Sequence, residues 1–130
     1  MNIPANLKYT KEHEWVLIND DNTAIIGITD FAQGELGEIV YVEIETIGDE
    51  IEKDEVFGTV EAVKTTSDLY MPVSGKVLEF NPKLDENEDD EPGLINTDAY
   101  GDGWLIKIEI SDSTQIDDLM SHEEYHELIG

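Results

Sequence analysis

The 130-residue sequence has no cysteine, no arginine and no apolar run long enough to span a membrane. Without cysteine there are no disulfides, no thiolate nucleophile and no thiolate-bound metal, so any sulfur chemistry must come from an attached group. All seven cations are lysines. No guanidinium fork is therefore present to clamp a phosphate or carboxylate substrate through two parallel hydrogen bonds. Met1–Lys8 lacks the apolar stretch of a secretory signal, and a transit peptide would be rich in arginine. Positive charge is scarce altogether: seven lysines face 32 acidic residues, for a net charge of −25. Nucleic acid and anionic membrane surfaces need clustered basic residues, so neither is expected as a partner. The acidity offers solubility through self-repulsion and steering toward basic faces of partner proteins.

What the chain does contain suits one compact domain over residues 1–130. With 39% hydrophobic residues, 10 Gly, 4 Pro and many Val, Ile and Thr, it leans toward β structure with tight turns. Trp15–Ile18 and Ala24–Ile28 read as strands joined by the turn Asn19-Asp20-Asp21-Asn22. Thr29 and Asp30 suit the N-terminal cap of a short helix through Phe31, Ala32 and Leu36, with Gly34 and Gly37 marking its end. Val40–Ile44 alternates, predicting Val40, Val42 and Ile44 on one face and Tyr41 and Glu43 on the other. Gly48-Asp49 and Ser74-Gly75 read as turns, the second leading into a strand over Lys76–Phe80. Asp85–Glu91, with six acids, reads as a solvated, mobile loop. Trp104–Ile110 is the last expected strand, with Leu105, Lys107 and Glu109 opposite Trp104, Ile106, Ile108 and Ile110. Ser113–Ile129 has helical spacing, and a capping box over Ser121–Glu124 predicts a split into two short helices. Together these predict a β-sandwich or flattened barrel with the tail across one open end.

Few motifs carry chemistry. His122-Glu123-Glu124-Tyr125-His126 matches the H-E-x-x-H zinc-protease pattern, but a catalytic zinc needs a third ligand, and His13 is the one other histidine. Asp85, Asn87 and Asp89 begin like a calcium loop, yet Asp90 and Asn96 stand where Gly and Glu are needed. Gly101-Asp102-Gly103 precedes no helix and reads as a turn. Carboxylates are too abundant for any pair to be informative. A carrier or binding module fits better than an enzyme. One lysine then stands out: Lys64 lies between the strand-like segments Val56–Val63 and Leu69–Val73, where a rigid hairpin would present its flexible amine.

Several segments together resemble the H-protein family of the glycine cleavage system. They are His13-Glu14-Trp15, Gly27 to Gln33, Leu36-Gly37, Tyr41-Val42-Glu43, Glu61-Ala62-Val63-Lys64 with Ser67-Asp68, Pro72 to Gly75, Leu94-Ile95-Asn96, Tyr100, Gly103-Trp104 and Lys107-Ile108. The resemblance implies a mainly β fold of the barrel-sandwich hybrid type seen in lipoyl and biotinyl carriers. It adds a short internal helix and a C-terminal helical tail. It implies lipoate in amide linkage to Lys64, with Glu14, Ser67 and Asp68 lining the cleft that shelters the loaded arm. The implied role is a non-catalytic, cytoplasmic shuttle, expected to be a monomer. It would take the aminomethyl group of glycine from the P-protein to the T-protein and pass electrons to dihydrolipoyl dehydrogenase. A lipoate ligase or lipoyl transferase would load it. Glu45, Ala62 and Met71 depart from the family's usual Pro, Ser and Ala, and the acidic stretch is longer than usual. Val63 and Thr65 flank the lysine where biotin carriers place methionines. The lipoyl domains of 2-oxoacid dehydrogenases are shorter and lack the first segment and the tail. Two alternatives remain: a carrier that relays lipoate to other lipoyl domains, distinguished by the absence of glycine-dependent turnover, and a zinc hydrolase using His122 and His126.

Overall fold

A computed structural model describes residues 3–130, so the first two residues of the expected 1–130 domain lie outside the described region. In chain order the elements are β1 (Lys8–Tyr9), β2 (Glu14–Ile18), β3 (Thr23–Ile28), α1 (Asp30–Leu36), β4 (Ile39–Glu43), β5 (Glu50–Ile51) and β6 (Val56–Ala62). They continue with β7 (Thr66–Tyr70), β8 (Gly75–Phe80), α2 (Leu94–Thr97), β9 (Ile106–Ile110), a 3-10 helix (Ser113–Asp118) and α3 (His122–Ile129). The strands form a six-stranded sheet ordered β1-β2-β3-β9-β8-β5 and a three-stranded sheet ordered β4-β6-β7. Every pairing is antiparallel. The result is an open, barrel-like sandwich of two sheets.

The period-2 patterning decides which faces meet. Ala24, Ile26 and Ile28 of β3 and Ile106, Ile108 and Ile110 of β9 are buried, while Glu109 is exposed. Opposite them, β4, β6 and β7 contribute Val42, Phe57, Val60 and Leu69 to the same core. A second cluster joins Leu7, Tyr9 and Trp15 to Tyr125 of α3. Here close approach requires glycine. Gly27 is the cross-strand neighbour of Trp15, and a Cβ on it would lie 2.5 Å from the indole. Trp15 Nε1 donates to the Ala99 carbonyl at 3.0 Å and so ties the segment after α2 to the large sheet.

The strands over 14–18, 23–28 and 75–80, the turn at 19–22 and the Thr29 cap agree with the sequence reading, and Thr29 Oγ1 accepts the Ala32 N–H. Several details differ. Gly34 lies inside α1, and Gly37 alone ends it, in the left-handed region at φ 83°. Val40 does not share a face with Val42 and Ile44: a register shift between Ile39 and Tyr41 buries Ile39 and turns Val40 to solvent. β7 begins at Thr66 instead of Leu69, and β9 begins at Ile106. Leu105, expected to share a face with Lys107 and Glu109, is fully buried, with its N–H donated to the Ile26 carbonyl at 2.8 Å. The two-residue strands β1 and β5 and the single-turn α2 were not expected. The tail is split as predicted. Ile116 and Leu119 pack on the main core, Met120 pairs with Tyr9, and Ser121 forms a full capping box with Glu124.

Candidate functional site

Strands β6 and β7 form a hairpin with Val63, Lys64 and Thr65 at its tip. Ala62 N–H closes the turn onto the Thr65 carbonyl at 2.7 Å. Val63 N–H ties the tip sideways to the Glu38 carbonyl at 3.0 Å. Lys64 is exposed, and the two ion pairs among the described residues, Lys53–Asp118 and Lys83–Asp102, do not involve it. A rigid mount thus holds out a long, unburied amine.

Along the same hairpin runs a cleft of about 380 Å³. One side is β6–β7 through Val60, Ser67, Asp68 and Leu69; the other is α1 with Phe31, Ala32 and Leu36; the segment entering β2 supplies Glu12, His13 and Glu14. The cleft therefore brings together Glu14, Ser67 and Asp68, although Glu14 is remote from the other two in sequence. Asp68 is exposed and Ser67 half-buried. Glu14 is only 2% exposed. Its Oε1 accepts from Thr10 Oγ1 at 2.6 Å and its Oε2 from the Tyr70 N–H at 3.4 Å. Burial pushes its carboxyl up to about 8; the two hydrogen bonds oppose that shift, and the nearby Glu12 and Asp54 add to it.

The sequence reading missed His13 as a cleft residue. Its backbone sits at φ 71°, its ring stands 4.9 Å from Phe31, and its Nδ1 lies 2.8 Å from the Tyr125 hydroxyl. Burial lowers its imidazole below the usual range, against the pull of Glu12 and Glu35. Adjacency to Glu14 was the one available signal. His122 and His126 lie on α3, half-buried and exposed respectively. Among the described residues no group of three or more His, Asp or Glu is placed to hold a metal ion, so the zinc-hydrolase alternative has no ligand set. Of the expected loop Asp85–Glu91, residues 86–91 are exposed, in keeping with a solvated loop, while Asp85 is half-buried. Among the described residues no helix is long and apolar enough to cross a membrane.

A sandwich that presents a lysine on a tied hairpin beside a cleft has the architecture of the lipoyl and biotinyl carrier class. Comparison with known proteins narrows it. The glycine cleavage H-protein family profile matches residues 7–130. The glycine cleavage system H protein of Prosthecochloris aestuarii is 52% identical over 131 residues, spanning 100% of this chain and 99% of that protein. That of Halalkalibacterium halodurans is 54% identical, spanning 99% and 97%. The crystal structure of the H protein from Mycobacterium marinum superimposes with a TM-score of 0.87 at 35% identity, covering 98% of this chain and 99% of that one. The chain belongs to the glycine cleavage H-protein family and is a carrier component of that system.

Proposed function

We propose that this chain carries lipoate on Lys64 and shuttles, without catalysis of its own, the aminomethyl group of glycine from the P-protein to the T-protein. Dihydrolipoyl dehydrogenase then takes the electrons, and a lipoate ligase or lipoyl transferase does the loading. The observation that carries this reading is the exposed Lys64 on its tied hairpin, next to a cleft whose far side holds a buried carboxyl. The residues present fit the group. Apolar lining from Ile28, Phe31, Leu36, Val60 and Leu69 suits an alkyl arm, and Glu14, Ser67 and Asp68 suit a polar, cationic end. When bound, lipoate supplies a disulfide that opens to take cargo and electrons.

The protein's part is then positioning, exclusion of water and charge matching. With the cleft empty, the Glu14 carboxyl keeps its proton through most of the neutral range. A cationic amine entering the cleft favours loss of that proton and a charge-assisted hydrogen bond to the carboxylate. Ser67 and Asp68 add an acceptor oxygen and a negative charge to the same cleft. The hairpin mount raises the local concentration of the arm at each docked partner.

The test is intact mass. Unmodified protein incubated with lipoate and a lipoate ligase should gain one lipoyl increment, and Lys64→Arg protein should gain none. An increment that survives the substitution places the attachment elsewhere.

A further inference from the structure

We propose that Tyr125, which lies on α3 outside the cleft, is a positioning residue for the arm's shelter. Its phenol oxygen bonds two parts of the cleft at once. His13 Nδ1 meets it at 2.8 Å, and Thr29 Oγ1 meets it at 2.7 Å. His13 lines the cleft directly. Thr29 caps α1, with Oγ1 also accepting the Ala32 N–H at 3.2 Å, and α1 forms the opposite wall. One hydroxyl on the C-terminal helix thus sets the His13 ring relative to the wall helix.

The hydrogen-bond count leaves little play. Thr29 and Tyr125 are both 0% exposed, so each polar atom needs a partner within the protein. The phenol proton goes to His13 Nδ1 while Thr29 donates to the phenol oxygen, or it goes to Thr29 Oγ1 while His13 Nδ1–H donates. Only the first gives every proton an acceptor, since the second leaves the buried Thr29 hydroxyl proton without one, and it holds the imidazole through an accepting Nδ1. The link is braced on both sides. Thr29 N–H donates to the His13 carbonyl at 3.0 Å, and the Tyr125 ring stacks on Tyr9 with centroids 4.8 Å apart and planes 9° from parallel. Tyr125 is also the buried residue of α3, so this short helix reaches the carrier's core chiefly through the ring that carries the link.

The proposal rests on the reading of the cleft as the arm's shelter, and the experiment separates the two. Tyr125→Phe removes the hydroxyl and keeps the stacked ring. In protein without lipoate, amide exchange at Ala32 and Gln33 should speed up roughly fivefold, the factor for one lost net hydrogen bond, while amides of β3 and β9 keep their wild-type rates. In lipoylated protein bearing the aminomethyl cargo, hydrolytic loss of that cargo should accelerate by a similar factor, with the rate of Lys64 lipoylation unchanged. Unchanged exchange in α1, or exchange raised equally in helix and sheet, overturns the proposal. If the variant does not fold, His13→Gly breaks the link from the other side: it adopts positive φ freely and has no side chain to meet Tyr125. It must then speed cargo loss, and unchanged loss overturns the proposal. Thr29→Ser keeps the oxygen and must behave as wild type. The shelter reading fails separately if the wild-type protein loses cargo as fast as Glu14→Ala protein, a result that leaves the exchange experiment on Tyr125 standing.

Discussion

Glu14 is the residue at which folding and the proposed function pull against each other. A carboxyl 2% exposed, in a chain of net charge −25, is costly to ionise, and burial accordingly pushes it from 4.5 up to about 8. Below about pH 4.5 it is protonated in folded and unfolded chains alike and contributes no pH dependence. Between there and about pH 8 the unfolded chain releases the proton and the folded chain keeps it. The folded state therefore loses stability as the pH rises through that window, and above it the penalty is complete. Glu14→Gln keeps the shape and removes the ionisation. In urea denaturation the variant should gain on wild type from pH 5 to about pH 8 and level off above it, by something on the order of 2–4 kcal/mol in total. A difference that stays flat with pH would mean that Glu14 titrates as an ordinary carboxyl. On the proposed reading of the cleft, a cationic cargo relieves the same penalty, so Glu14→Gln protein should also release its cargo faster.

At the scale of elements, α1 is seven residues long, too short to persist without tertiary support. The Thr29 cap holds its start, and Asn96 holds its end. Asn96 Nδ2 donates to Gln33 Oε1 at 2.9 Å and to the Gly37 carbonyl at 2.8 Å, while its Oδ1 accepts the Ile39 N–H at 2.9 Å. One side chain of α2 thus joins the end of α1 to the start of β4, beside the hairpin tip. Asn96→Ala removes all three bonds and leaves backbone groups without partners, a loss of roughly 2–4 kcal/mol that should appear as a lower denaturation midpoint with an unchanged slope. A loss under about 0.5 kcal/mol would show that water replaces the amide at no cost. These elements also show what a sequence can reveal. The Thr29 cap, the Ser121 capping box and the alternation of β3 and β9 are local signals, written within a few residues. β1 exists because it pairs with β2 and Met120, and α2 is one turn held by partners far away, so neither has a signature of its own. Val40 faces solvent because of a bulge, which alternation alone does not announce. The grouping of Glu14 with Ser67 and Asp68 came from resemblance to a family, not from spacing. His13 went unnoticed because its partner Tyr125 lies 112 positions away.

For the whole molecule, charge acts in two directions at once. The chain holds 32 acids against seven lysines, and Lys53–Asp118 and Lys83–Asp102 are the ion pairs among the described residues. Such surface pairs contribute little, so most of the negative charge meets only other negative charge. Repulsion of this kind acts on the compact state more than on the expanded chain. Salt weakens it, because the screening length falls from about 30 Å at 0.01 M to about 10 Å at 0.1 M. Adding sodium chloride over that range and up to about 0.5 M should raise the melting temperature by roughly 3–5 °C, the shift that about 1 kcal/mol gives a domain of 130 residues. The same screening should slow capture by a partner with a basic face, by tenfold or more if association is electrostatically steered. Calorimetry over the salt series, beside the initial rate of reduction of the lipoylated protein by the P-protein and glycine at low carrier concentration, tests both signs on one sample. A melting temperature that falls with salt would show that the two ion pairs outweigh the repulsion. A reaction rate indifferent to salt would show that the acidity serves solubility and plays no part in finding the partner.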